Sequence, residues 1–277
     1  MKKILILSIV LIFCNVTYGG VNWLTSFEVA QKEALATNKL MVVDFWASWC
    51  GPCKRMDLES WSKEEVKLLM DNYVAVKVDI DKERELSRKY GVNSIPFVFV
   101  MDGNGKVIRM ERGYRNKSQV MEFLKTYAYN TAYFKIDLIN YFKQKNFVTS
   151  YRLGNKIQKY ALHLPMNVRY DFLKLAGQYF SESERYMKKS EMKDDNGLKQ
   201  KLELHDIQEL LIMKKSKKAL KQLGKYNQSK IFDENKSFYA LLNYVAHKQL
   251  TDGEDSQWES YLSENDIKLA NLFLKTD

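Results

Sequence analysis

Two cysteines separated by two residues stand where a predicted strand turns into a predicted helix. The segment Trp49–Lys54 reads Trp-Cys-Gly-Pro-Cys-Lys and follows the apolar run Leu40–Phe45, which predicts a buried strand. At the N-terminus of the next helix, free N–H groups and the positive end of the helix dipole favour the thiolate form of Cys50. Pro52 suits the first helical turn, where its missing N–H leaves no bond unmade. The segment therefore predicts a dithiol–disulfide exchange site formed by Cys50 and Cys53.

The same cysteine spacing also forms half of some zinc sites. A complete site needs further ligands, and the chain has no second Cys-x-x-Cys. Its histidines, His163, His205 and His247, lie far downstream and about forty residues apart, which is not a ligand spacing. We therefore expect redox chemistry at the cysteines and no bound metal.

Three separated motifs resemble those of the thioredoxin family. Val43–Lys54 is similar to the family's active-site segment, Ser94–Phe97 to the loop that carries a cis-proline opposite the cysteines, and Gly113 to a late glycine. The resemblance covers residues 20–129, which is less than half of the chain. It implies that these residues form the α/β thioredoxin fold, a mixed sheet with helices on both faces.

The resemblance also implies catalytic roles for three residues. Cys50 and Cys53 would form a redox-active disulfide, and Asp44 would transfer protons to and from Cys53. Asp44 interrupts an apolar strand, where a carboxylate is expensive to bury unless it is used or paired. Burial would raise its pKa toward working pH, as a general base requires. An alternative for Asp44 stays open, namely that it caps a helix or faces water. Lys77 matches a lysine that lies near this aspartate in the family, but it could equally be a solvent-facing residue of its strand.

Residues around the cysteines are predicted to bind substrate. The resemblance implies that Pro96 follows a cis peptide bond, presents the backbone of Ile95 to an extended substrate segment and keeps an N–H group away from the sulfurs. It implies the same substrate-binding role for Trp49, Gly51 and Pro52.

The helix after Cys53 departs from the family pattern. Thioredoxins usually carry a proline a few residues after the second cysteine, and Arg55–Glu59 contains none. A second helix is predicted over Ser62–Asn72, because Ser62 begins a capping pattern. Similar patterns predict that Thr25 and Ser118 cap two further helices.

Beyond Asn130, strand-like runs give way to helical periodicity. The predicted helices span residues 131–144, 147–162, 166–180, 182–193, 198–223, 234–249 and 256–275. No repeat of fixed period is convincing, so 130–277 is predicted to be an all-α helical domain, either a bundle or a repeat-like array.

Composition favours a globular protein without a nucleic-acid partner. The chain has 277 residues, of which 45% are hydrophobic and 3 are prolines. Its formal net charge is +10, but lysines and glutamates are interspersed and no long basic run occurs. The charge is therefore interpreted as a solvated surface.

The first nineteen residues resemble an export signal. Two lysines precede the short apolar run Ile4–Phe13, and small residues near Gly19 suit a signal peptidase. Residues 1–19 are therefore predicted to be a signal peptide and the protein to be exported to a bacterial periplasm. A lipid anchor at Cys14 is the alternative, although Phe13 stands where such signals want a small residue.

Together these features predict an exported thiol–disulfide oxidoreductase that reduces disulfide-bearing protein substrates. The Gly51-Pro52 dipeptide resembles that of thioredoxin, a reductant, and a reductant outside the cytoplasm implies a membrane thiol-electron donor. No cofactor is expected, because no nicotinamide or flavin site is visible in the sequence. The alternatives are a disulfide oxidase or isomerase, and a redox-sensitive protein whose helical domain binds a partner that the sequence does not identify.

Overall fold

A five-stranded mixed sheet organises the N-terminal half of the fold. The computed structural model describes residues 21–250 and 257–275. Its strands are Trp23–Leu24 (β1), Leu40–Trp46 (β2), Tyr73–Asp79 (β3), Phe97–Met101 (β4) and Val107–Arg112 (β5). They lie in the order β1-β3-β2-β4-β5. The first three are parallel, whereas β4 runs antiparallel to β2 and β5 antiparallel to β4, which confirms the predicted mixed sheet.

Helices cover both faces of this sheet. They are Phe27–Thr37 (α1), Gly51–Met56 (α2), Glu64–Met70 (α3), Arg84–Lys89 (α4) and Lys117–Tyr127 (α5). α1 and α4 pack on the face that carries Phe45 and Phe99, whereas α2, α3 and α5 pack on the opposite face, which carries Leu40 and Val42. Successive side chains of each strand point to opposite faces of the sheet, so the same strands contribute to the core on each face.

The chain leaves α2 through a π-helical turn, Asp57–Trp61, before α3 begins. The N–H group of Ser62 donates to the carbonyl of Asp57 at 3.0 Å, which closes this wider turn. The π turn therefore lies where the sequence lacks the proline that thioredoxins usually carry, and α3 corresponds to the helix predicted over Ser62–Asn72.

The three predicted capping residues were wrong by one or two positions. The N-caps are Ser26, Lys63 and Asn116, not Thr25, Ser62 and Ser118. A capping residue has an extended backbone immediately before the first helical residue, and this condition is met at Ser26 and Asn116. Asn116 also forms a reciprocal capping box with Gln119, which places Ser118 inside the first turn.

The remainder of the described chain is mostly helical, as predicted. The helices are Lys135–Lys143 (α6), Phe147–Ala161 (α7), Met166–Lys188 (α8), Asn196–Ile212 (α9), Ser216–Leu223 (α10), Lys236–Lys248 (α11) and Glu264–Leu274 (α12). Three predictions were wrong. The helix predicted over 256–275 begins only at Glu264, after the 3-10 turn Glu259–Tyr261. The helices predicted over 166–180 and 182–193 are largely one helix, α8, because no glycine or proline interrupts 178–188. The helix predicted over 198–223 is two helices, because Lys214 adopts a left-handed conformation with φ of 57°.

No helix in the described ranges is long and apolar enough to cross a membrane. The predicted signal peptide, 1–19, and Cys14 lie outside the described residues.

One hydrophobic core continues from the sheet into the helices, since Leu124, Phe134 and Phe172 belong to the same buried cluster. The boundary between a thioredoxin-like domain over 20–129 and a helical domain over 130–277 therefore stays a prediction.

Buried polar contacts join the turn between β4 and β5 to α8. The Tyr179 hydroxyl donates to the Asp102 carboxylate, and both side chains are fully buried. Burial raises the pKa of Asp102 to about 6. Nearby, Lys106 pairs with Glu182. Since Met101 pairs with Met41, this turn lies at the amino end of β2, opposite to the end that leads to the cysteines.

Tyr179→Phe is expected to lower the free energy of unfolding at pH 7 by about 2 kcal/mol, because a buried carboxylate loses its side-chain donor. Urea unfolding followed by circular dichroism measures the change. Tyr170→Phe is the matched control, since Tyr170 lies on the same helix with an exposed side chain. Equal losses in the two variants would contradict the proposed importance of the Tyr179–Asp102 bond.

Candidate active site

The two cysteines form a disulfide at the start of α2. Cys50 is the N-cap residue, with an extended backbone, and its sulfur accepts a hydrogen bond from the N–H group of Cys53 at 3.2 Å. The Cα atoms of the two residues are 5.3 Å apart, and both side chains are buried. Pro52 lies in the first helical turn, as its ring requires. The Cys50 sulfur therefore occupies the position at which a helix N-terminus stabilises negative charge.

The predicted substrate-binding residues surround this disulfide. Trp49 is 64% exposed, and its indole N–H donates to Asp81 Oδ2 at 2.8 Å. Gly51 and Pro52 are exposed on the first turn of the helix. This rim of exposed side chain and backbone next to a sulfur can receive an extended polypeptide.

The loop before β4 approaches the cysteines from the other side. The Ile95–Pro96 peptide bond is cis, and Ile95 packs against the small cluster that contains both cysteines. Gly113, with φ of 86°, donates its N–H to the Pro96 carbonyl at 2.8 Å. The fold thus brings together all three motifs that resemble those of thioredoxins.

Asp44 lies on β2 beneath α2. Its side chain is on the same face of the sheet as Leu40 and Val42, and it is only 2% exposed. Cys53 and Met56 are three residues apart on α2 and are both buried, so one side of this helix faces the sheet. Asp44 is therefore neither a helix cap nor a solvent-facing residue.

Burial sets the ionisation of Asp44. Desolvation raises the pKa of this carboxyl to about 6, against the opposing influence of Lys77. The Lys77 ammonium lies 3.6 Å from Asp44 Oδ2, on the neighbouring strand at the paired register position. A carboxyl with a pKa near neutrality can both take up and release a proton at physiological pH.

Asp57 was not singled out by the sequence reasoning. Its carboxylate forms a close ion pair with Lys77, so that the lysine lies between two acidic groups. The available signal was its position four residues after Cys53, which places both residues on one side of a helix. The Lys77 ammonium also lies 5.2 and 5.3 Å from the ring centroids of Trp23 and Trp46, and its side chain is only 15% exposed, so it does not extend into solvent.

Comparison with known proteins agrees with this geometry. The thioredoxin family model matches residues 24–126. The thioredoxin of Mycoplasmoides gallisepticum is 40% identical over 93 residues, which are 34% of this chain and 89% of that protein. The chain belongs to the thioredoxin family. Thioredoxin from Bacillus subtilis is 36% identical over 94 residues, covering 33% of this chain and 86% of the relative.

Family membership establishes that the protein is a thiol–disulfide oxidoreductase. Among solved structures, the oxidised C-terminal domain of DsbD from Neisseria meningitidis is 26% identical, with a TM-score of 0.32, and the match covers 36% of this chain and 89% of that domain. The thioredoxin match ends at residue 126, before the first of the C-terminal helices, α6, begins.

Proposed function

We propose that this protein is an exported oxidoreductase that reduces disulfides in protein substrates. The observation that carries the proposal is the Cys50 sulfur at the N-cap of α2, where the Cys53 N–H group donates to it. After reduction of the disulfide, the same N–H group and the helix dipole favour a thiolate at Cys50 near neutral pH. That thiolate is the nucleophile of thiol–disulfide exchange.

The first step joins the enzyme to its substrate. The Cys50 thiolate attacks one sulfur of the substrate disulfide, the substrate S–S bond breaks, and the second substrate sulfur leaves as a thiolate that takes up a proton. A mixed disulfide between Cys50 and the substrate remains. In this proposal Trp49, Ile95 and Pro96 hold the substrate segment beside the sulfur.

The second step releases the product. Asp44 accepts the proton of the Cys53 thiol, directly or through water, and the Cys53 thiolate attacks the Cys50 sulfur. The mixed disulfide breaks, the substrate sulfur leaves as a thiolate, and the Cys50–Cys53 disulfide forms. Asp44 then returns this proton to the departing substrate thiolate, directly or through water. Two electrons pass to the substrate in each turnover, and of the two protons that the substrate thiols take up, one comes from Cys53 and the other from solvent, to which Cys50 lost its proton on ionising.

Export and a membrane electron donor complete the proposal. The lysines and apolar run at the N-terminus support export, and each turnover outside the cytoplasm consumes two electrons that a donor must replace. Contacts between the C-terminal helices and the turn after β4 lie at the amino end of β2. Their position supports a role for the helical region other than closing over the dithiol.

The reduction potential of the Cys50–Cys53 pair tests the direction of electron flow. We expect about −270 mV, the value typical of thioredoxin, when the full chain is equilibrated with a glutathione or dithiothreitol redox buffer. A potential above about −180 mV would contradict the proposed role as a reductant and indicate an oxidase or isomerase. Pro52→His is the comparison variant, and its potential should be higher because an imidazolium beside Cys50 stabilises the thiolate form.

A further inference from the structure

Lys77 lies between two carboxylates that differ in position and exposure. Its ammonium forms a close ion pair with Asp57 Oδ1 and lies 3.6 Å from Asp44 Oδ2. Asp44 belongs to the motif that resembles thioredoxins and is almost completely buried, whereas the side chain of Asp57 is 36% exposed on the π turn. The lysine is therefore drawn toward the outer carboxylate rather than the inner one.

We propose that Asp57 is a positioning residue for the proton relay: it draws the Lys77 ammonium away from Asp44, so that Asp44 remains able to accept the proton of Cys53. This inference rests on the proposed role of Asp44 in that transfer. It adds to the relay a residue that does not touch the reacting sulfur.

The backbone and the surrounding rings hold this arrangement in place. The N–H group of Asp57 donates to the carbonyl of Cys53, so the carboxylate lies one turn along the helix from the second cysteine. Lys77 is 15% exposed, and its ammonium contacts the rings of both Trp23 and Trp46. The ammonium therefore reaches both carboxylates from one position, and it lies nearer to Asp57 than to Asp44.

Side chains from three neighbouring elements surround Asp44. β3 contributes Lys77, the π turn contributes Asp57 and the indole of Trp61, and β4 places the apolar Val98 opposite Asp44. After burial, the attraction of Lys77 and the repulsion of Asp57 are the largest influences on the carboxyl, and they have opposite signs. A lysine paired fully with Asp44 would lower its pKa by about 1–3 units and leave a weaker base at neutral pH.

Asp57→Asn in the oxidised full-length chain tests the inference directly. In the disulfide form the cysteines do not titrate, so the carboxyl of Asp44 can be followed alone by carbon-13 NMR of labelled aspartate. The resonance is assigned by its loss in Asp44→Asn. We expect the titration midpoint of Asp44 to fall by about one pH unit, because a repelling charge is removed and Lys77 is released toward Asp44.

Two further variants separate this effect from a general change in charge or structure. Glu59→Gln removes one negative charge from the same π turn, but its carboxylate interacts with Arg55 and Tyr114, so the midpoint should not move. Asp57→Glu keeps the charge and should retain most of the original midpoint. An unchanged midpoint in Asp57→Asn, or an equal fall in Glu59→Gln, would overturn the inference.

The rate of disulfide reduction as a function of pH distinguishes this inference from the proposed function. If Asp44 relays the proton, the acidic limb of the rate profile should move to lower pH together with the NMR midpoint in Asp57→Asn. A shifted midpoint with an unmoved rate profile would contradict the relay through Asp44 while supporting the effect of Asp57 on that group. An unshifted midpoint would overturn the role of Asp57 whatever the rate profile does.

Discussion

In the Cys50→Ser variant, the rate of disulfide reduction is expected to fall to that of the uncatalysed reaction. A serine hydroxyl stays protonated at neutral pH, and its oxygen cannot form the mixed disulfide through which exchange proceeds. Because serine is a favourable N-cap residue, its oxygen should still accept the Cys53 N–H group and preserve the start of α2. Turnover of a disulfide-containing protein with excess dithiol as electron donor measures the loss, and thermal unfolding verifies the fold.

Cys53→Ser is the matched variant, because it makes the same replacement of one sulfur by oxygen at the resolving position. Cys50 can still attack once, but nothing in the pair then resolves the mixed disulfide. We expect a covalent adduct between Cys50 and the substrate, visible as a mass increase that excess dithiol reverses. Repeated turnover by Cys50→Ser, or the absence of an adduct in Cys53→Ser, would contradict the order of attack proposed above.

The features predicted correctly depend on residues that are close in sequence. The apolar run of β2, the turn with two cysteines and the helix formers that follow define a strand–turn–helix unit whose geometry is local. The mixed sheet and the cis bond before Pro96 followed from resemblance to the family, and the structure contains both. Burial of Asp44 was also implied by that resemblance, and the structure contains it, whereas the acidic residue inside an apolar run left a water-facing position open.

The features that were missed depend on tertiary register or on single backbone conformations. Asp57 meets Lys77 only because β2 pairs with β3 and the π turn directs its side chain there, and neither condition is visible in local spacing. The division between α9 and α10 depends on one residue in the left-handed conformation, Lys214. A glycine at this position would have indicated such a conformation, but a lysine does not. The single helix α8 continues because its packing outweighs weak local differences in propensity.

Asp44→Asn is expected to raise the free energy of unfolding of the oxidised protein by about 2–3 kcal/mol at pH 7 to 8. Burial raises the pKa of Asp44 from 3.8 to about 6 in the folded chain. Between these values the folded state keeps a proton that the unfolded state has released, so stability falls as pH rises from about 4 to about 6 and then levels. Asparagine carries no charge and avoids this loss.

The dependence of the stabilisation on pH distinguishes removal of a buried charge from better packing. The difference between Asp44→Asn and the original chain should be near zero below pH 4, grow from about pH 4 to 6 and then remain constant. Asp102 has a similarly raised pKa, so some pH dependence should persist in the variant. Asp71→Asn, at an exposed position, should give little change at any pH. A stabilisation that is equal at pH 3 and pH 8 would contradict the buried, high-pKa carboxyl on which the proton relay depends.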